Sequence, residues 1–239
     1  MKPNNCKTRV NTADRTDTGN VRKSNQDVGL NMTTPRAPLN ADALLAVADG
    51  MGGHASGELA SRMAIEELVN CLNSSSKSKS SVARMLENAV KHANSAVHKA
   101  GMAPAHMGMG TTLTVAIIAK FNLYVANVGD SRCYLLRGNC LRQVTQDHSY
   151  VAEQVLAGNL TEEEARQHPA RNMITRAIGL ESRVEVDVFP PIPLRKGDRV
   201  LICSDGLYSM VRDTEIMNIL RRHKPELACK KLVELANAN

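Results

Sequence analysis

Four aspartates carry the chemistry that this sequence offers. Asp49 ends the apolar run in "LLAVADGMGG", Asp130 ends "NLYVANVGDSR", and Asp205 ends "DRVLICSDGL". Each time a strand-like stretch stops at one carboxylate followed by a small residue, which is how a chain presents a single acid at the edge of a sheet. A fourth acid, Asp27, sits in "GNVRKSNQDVGL". Taken singly, each is an ordinary turn aspartate, because Asp and Gly are favoured in tight turns. Gathered in one place, several carboxylates repel, and they either take up protons or bind a cation. Hard oxygen ligands with no His or Cys partner at ligand spacing select Mg²⁺ or Mn²⁺ over zinc. Two such ions close together can deprotonate a bridging water and clamp a phosphoryl group.

The elements that must position these acids follow from periodicity. "SGELASRMAIEELVNCL" places Ala60, Ala64, Leu68 and Leu72 on one i, i+4 stripe and predicts a helix. "NSSSKSKSS" is a short polar linker. "VARMLENAVKHANSAVHKA" aligns Val82, Leu86, Ala89, Ala93 and Val97, a second amphipathic helix expected to run antiparallel to the first. From Gly110 to Thr145 the period changes to two. Runs rich in β-branched residues are punctuated by "KFN", "GDS" and "RGN", the pattern of an antiparallel meander. Residues 147–178 break it, with a capping box at Thr161 and Glu164 that predicts a small helical excursion. "RVEVDVF" alternates as a strand and "RVLICS" supplies another. With Asp213 as N-cap, "TEIMNILRR" and "ELACKKLVELANA" form two closing helices. Hairpins in place of βαβ crossovers make the class α+β with antiparallel sheets. Residues 1–13 are expected to form a loose arm and 14–239 the domain.

Composition narrows the field. The 239 residues suffice to bury a large core, yet there are only two Phe, four Tyr and no Trp, so aliphatic residues and Met must fill it. Net charge is +6. The basic residues are scattered and stacking aromatics nearly absent, which argues against nucleic-acid binding. A positive field still suits anionic substrates such as phosphate esters. The six cysteines lack CxxC spacing and several fall in apolar runs, so buried thiols in a reducing cytosol are expected. The N-terminal stretch has no apolar leader-like core, and no window approaches 18 uncharged apolar residues, so neither secretion nor membrane spanning is expected.

"VADGMGGHASGE", "MGTTL", "VGDSRCYLLR" and "ICSDGL", in this order, with "RKSNQD" near the start, resemble the metal-dependent PPM (type 2C) protein Ser/Thr phosphatases of bacterial type. The likeness runs from about residue 14 to the end. It implies a four-layer α-β-β-α sandwich, two antiparallel sheets flanked by helix pairs, with a binuclear centre of Mn²⁺ or Mg²⁺ at one end and a weaker third ion. By this resemblance Asp49 would bridge the two ions and the Gly50 carbonyl would ligate one. Asp27 would act mainly in the outer shell, Asp205 would ligate the first ion, and Asp130 would join Asp205 at the third site. Arg22 occupies the place of the phosphate-binding arginine, where a planar fork pairs two oxygens at once. His54, in "GMGGH", would protonate the leaving alkoxide or hydrogen-bond a water at the metals. "MGTTL" is expected to pack a strand start, and 147–178 matches the family's flap. The implied activity is hydrolysis of phosphoserine and phosphothreonine by direct attack of the bridging water. The implied partners are phosphorylated proteins, a Ser/Thr kinase and its targets, with no nucleic acid and no membrane, for a monomeric cytoplasmic enzyme.

Two departures stand out. Gln26-Asp27 replaces the common Glu-Asp, which passes any ligand role to Asp27. The chain also stops at "LVELANAN", before the family's closing Gly-x-Asp-Asn strand, as in a truncation. That leaves a second reading, a phosphatase-like binding or regulatory module without turnover. No HCx₅R loop, DxD after a strand or GK[ST] supports another phosphoryl-transfer chemistry.

Overall fold

The structure, a computed structural model, describes residues 10–239, apart from the side chains of residues 54, 55 and 77. Residues 1–9, most of the expected arm and one of the six cysteines, lie outside the described residues.

The chain opens with strands β1 (Asp27–Thr33) and β2 (Ala43–Met51), paired antiparallel. Helices α1 (His54–Ser74) and α2 (Val82–Gly101) follow, the second capped by the Ser81 side chain, which accepts from the Arg84 N–H. The stripe Ala60, Ala64, Leu68 and Leu72 of α1 is fully buried. The meander comprises β3 (Gly110–Thr111), β4 (Leu113–Ala119), β5 (Asn122–Val128), β6 (Arg132–Arg137) and β7 (Cys140–Gln143). The excursion contributes α3 (Tyr150–Leu156) and α4 (Glu162–Gln167), the latter carrying the expected box between Thr161 and Glu164. Next come β8 (Asp187–Val188), β9 (Ile192–Pro193), β10 (Arg199–Cys203), α5 (Asp205–Tyr208), α6 (Asp213–Arg222) and α7 (Pro225–Ala238).

Two antiparallel sheets result. The larger runs β1-β2-β4-β5-β8, with β3 on β2 and β9 on β5; the smaller runs β10-β6-β7. Strand β4 is buried at every position, and its alternation decides where each side chain goes. Val115 and Ile117 join Leu68, Leu86 and Val90 under α1 and α2. Ala116 and Ile118 meet Cys133, Val200 and Ile202 between the sheets. Leu136 packs with Val211, Ile216, Leu220 and Leu232 below α6 and α7. The layers are therefore helices, sheet, sheet, helices.

Three local expectations change. "RVEVDVF" forms strand only at Asp187–Val188, paired with Asn127 and Ala126. Continuing that register would set Val186 opposite Val128, the last residue of β5, and Glu185 opposite Gly129, which turns away at φ 106°. Val184 and Val186 still pack on the core by alternation, without a ladder. Asp213 is the first residue of α6 and Arg212 its N-cap, because Glu215 reaches back to the Arg212 N–H at 3.1 Å. Cys133 and Cys203 are buried, whereas Cys140 is exposed on edge strand β7; the described cysteines are all free.

Candidate metal centre

The site begins with strand register. Asp27 lies directly opposite Asp49 in the β1–β2 pair, so both carboxylates emerge on one face. On its other side Asp49 is held by the meander. Its N–H donates to Thr112 Oγ1 at 2.9 Å, and its carbonyl accepts from Thr112 N and Thr111 Oγ1, each at 2.9 Å. "MGTTL" thus fixes the backbone of Asp49, as well as starting a strand. Gly50 follows because nothing larger fits: a Cβ there would stand 2.1 Å from the Gly57 carbonyl oxygen in the first turns of α1. This close approach brings the start of α1 against the end of β2.

Asp130 sits in the β5–β6 turn that crosses from one sheet to the other. Gly129 before it has φ 106°, and a Cβ there would lie 2.7 Å from the Thr112 side chain. Ser131 Oγ and Thr112 Oγ1 share a hydrogen bond of 2.8 Å, tying this turn to the strand that holds Asp49. Asp205 comes from the second sheet, as the first residue of α5 after β10. The preceding Ser204 donates from Oγ to Asp27 Oδ2 at 2.6 Å, so the two sheets are joined at the acids themselves.

Electrostatics show how closely the four are placed. Burial, followed by the charges of Asp27 and Asp205, pushes Asp49 up to about 9. Burial also raises Asp27, against hydrogen bonds from Ser204 and Asp49. That combination describes a protonated Asp49 donating to Asp27. Asp130 is pushed up to about 7 by burial, then by Asp205 and Asp147. Asp49, Asp130 and Asp205 line a single cleft of about 280 Å³ together with Gly50, Arg22, Lys23, Asn172 and Ile174. Arg22 is exposed at its edge, and its charge favours ionised Asp27. The side chain of His54 lies outside the described residues; its backbone opens α1 directly after the cleft-lining Gly53.

Do these residues fit a divalent ion? Among the described residues, no three His, Cys, Asp or Glu side chains are grouped tightly enough to hold one ion alone. Asp49, Asp130 and Asp205 instead line different parts of the cleft, with Gly50 beside them. Mg²⁺-type ions are held by one or two carboxylates and keep several waters, so acids spread over a cleft suit them better than a closed cage. Burial and mutual repulsion raise both Asp49 and Asp27, which is the concentration of negative charge a cation would neutralise. The donor set fits hard divalent ions.

Periodicity does not reach several residues at this site. Ser204, Asn172, Ile174 and the Asp147-His148 dipeptide come to it through tertiary packing, and the only sequence signal for the last two is a pair of polar residues where the meander breaks off. Of the expected site residues, Asp27, Asp49, Gly50, Asp130, Asp205 and Arg22 are all brought together.

The family model for protein phosphatase 2C matches residues 24–234. "Serine/threonine phosphatase stp" of Listeria welshimeri is 39% identical over 228 residues, covering 94% of this chain and 88% of the relative. The crystal structure of the Mycobacterium tuberculosis serine/threonine phosphatase PstP/Ppp superimposes with a TM-score of 0.82 at 39% identity, covering 94% of this chain and 90% of that one. A second structure, the catalytic domain of PstP in complex with 2 manganese ions, reaches 0.78 at 36% identity over 94% and 90% of the two chains. With two sheets, flanking helices and the acids at one sheet end, the chain belongs to the protein phosphatase 2C family and is a protein serine/threonine phosphatase of that type.

Proposed function

We propose that this phosphatase hydrolyses phosphoserine and phosphothreonine esters by direct attack of water in a centre holding two Mn²⁺ or Mg²⁺ ions, with a weaker third site. Asp49 would bridge the pair, with the Gly50 carbonyl on one ion and Asp205 on the first. Asp27 stands behind Asp49, and Asp130 shares the third site with Asp205. When bound, the ions supply the positive charge that acidifies water and neutralises the phosphoryl oxygens. The observation that carries this reading is the convergence of Asp49, Asp130 and Asp205 on one cleft, with Asp27 paired opposite Asp49 and Arg22 at the edge.

The chain's own residues do the rest. Arg22 and Lys23 draw the phosphate dianion to the mouth, and the Arg22 guanidinium pairs two of its oxygens. Asp27, accepting from Ser204, keeps Asp49 in one orientation. His54, next to Gly53, would either protonate the leaving oxygen or hydrogen-bond a water at the metals. Asn172 and Ile174 close one side of the cleft from the 147–178 excursion, which we assign as a flap on a domain spanning 14–239. The substrates are phosphorylated proteins; a Ser/Thr kinase and its targets, met by a monomeric cytoplasmic enzyme, are the proposed partners. No helix among the described residues is long and apolar enough to cross a membrane. No observation favours a phosphatase-like module without turnover. The test is phosphate release from a phosphothreonine peptide with added Mn²⁺. Turnover that persists after exhaustive chelation and dialysis would sink the two-ion reading.

A further inference from the structure

We propose that Asp147 and His148, consecutive residues at the root of the excursion, are positioning residues that set Asp130 against Asp205. The functional consequence rests on reading those two acids as ligands of one cation. His148 is buried and takes both polar backbone groups of Gly129. The Gly129 N–H donates to His148 Nδ1 at 3.0 Å, and the His148 N–H donates to the Gly129 carbonyl at 3.0 Å. With Nδ1 accepting, the ring hydrogen is assigned to Nε2, which faces Asp187 Oδ2 at 3.2 Å. Arg176 Nη1 also lies 3.1 Å from Nε2, a donor against a donor, and it is the Asp187 carboxylate, 2.7 Å from Arg176, that makes this approach tolerable. Gly129 has no room to move on its own, because Thr112 packs where its Cβ would be. The residue it leads into is Asp130.

Asp147 reaches the other acid. Its buried carboxylate receives the Arg132 fork, with Nε at 2.9 Å and Nη2 at 2.6 Å from Oδ2, and Gln143 completes it at 2.7 Å. The Arg132 guanidinium lies over the Tyr208 ring, 3.7 Å from its centroid. Tyr208 is the last residue of α5, the one-turn helix that begins with Asp205. One dipeptide therefore holds the turn of Asp130 through His148 and the helix of Asp205 through Arg132. The same root carries the cleft wall: the Thr175 N–H donates to the His148 carbonyl and the Tyr150 N–H to the Met173 carbonyl, each at 2.9 Å, which brings Asn172 and Ile174 to the acids. A buried polar network is costly unless every member is paired. This one is paired, and it is directed at two turns that each bear a cleft carboxylate. Partners behind a ligand fix its orientation, and losing one costs roughly 10–100-fold in metal affinity.

The test compares His148→Leu, which keeps bulk but no hydrogen bond, with His148→Asn, whose side-chain oxygen can stand in for Nδ1. Two measurements are made on each full-length variant: amide hydrogen exchange at Gly129 in the metal-free protein, and Mn²⁺ affinity by calorimetry. Leu is expected to speed Gly129 exchange and weaken the weakest Mn²⁺ step about tenfold, with Asn restoring both. If His148→Leu does not fold, Asp187→Asn and Arg132→Met carry the same test on the two arms. Wild-type exchange at Gly129, or an unchanged Mn²⁺ titration in a folded variant while Asp130→Asn alters it, overturns the proposal. If Asp130→Asn leaves the titration untouched, the ligand reading of Asp130 fails instead, and Gly129 exchange alone decides the positioning.

Discussion

Replacing Asp49 with Asn should stabilise the metal-free protein while removing its metal response. Asp49 is raised from 3.8 to about 9 by burial and by Asp27 and Asp205, so the folded chain holds a proton that the unfolded chain releases. The sign follows from linkage. Near pH 4 and below, both states are protonated and the group is neutral to stability; as pH rises from there towards about 9, unfolding gains progressively. Each unit is worth about 1.4 kcal/mol, so retaining the proton at pH 7 costs about 4 kcal/mol. Because Asp27 shares the burden through its hydrogen bond to Asp49, relief of about 2–4 kcal/mol is expected from Asp49→Asn, whose amide can still donate to Asp27. For a domain of this size that is a rise of about 5–15 °C in Tm. Urea titrations in EDTA at several pH values give the difference and its pH slope. With Mn²⁺ at about 100 times Kd the wild type gains about 2.7 kcal/mol and the variant gains little. A metal-free variant no more stable than wild type at pH 7.5, or a gap that does not widen with pH, would refute the reasoning.

Arg22→Ala should raise KM for a small phosphate ester about 10–100-fold with a lesser effect on kcat, since a charge-assisted contact is worth about 1.5–3 kcal/mol; steady-state kinetics decide, and an unaltered KM returns Arg22 to an ordinary surface role. Gly50→Ala should cost about 3 kcal/mol or more, because its Cβ would meet the Gly57 carbonyl oxygen at 2.1 Å and neither backbone can yield without moving α1; denaturant melts measure it. Lys120 and Phe121 form the two-residue β4–β5 turn with φ of 50° and 60°, so Lys120→Asn with Phe121→Gly should stabilise by about 1–2 kcal/mol and leave phosphatase rates unchanged. A fall in stability there would mean that the exposed Phe121 ring contributes more than its backbone strain costs.

Helices and strands were legible because their signals are local, whereas the four-layer stacking followed only from the family resemblance. The i, i+4 stripe of α1 and the alternation of β4 state which faces are buried, and the capping box at Thr161 states where α4 starts. Three of the acids were legible for the same reason: Asp49, Asp130 and Asp205 each end an apolar run, whereas Asp27 starts its strand and is set opposite Asp49 by the antiparallel register. What sequence could not show depends on contacts across long chain separations. Ser204 finds Asp27 because β10 ends beside the start of β1, and Asp147-His148 finds Gly129 and Arg132 because the chain recrosses β6. "RVEVDVF" failed as a full strand for a related reason: alternation fixes a face, whereas a ladder needs a neighbour of matching length, and β5 stops at Val128.

Calorimetric titration of the chelator-stripped wild type and of Asp49→Asn with Mn²⁺, in parallel at pH 7.5, bears most directly on whether these acids form a two-ion centre. The wild type should take up at least two ions per chain with proton release, as Asp49 and Asp27 give up the hydrogen they share. Asp49→Asn should lose the tight steps and most of the proton release. Identical stoichiometry, affinity and proton release in the two proteins would contradict a metal centre built on Asp49.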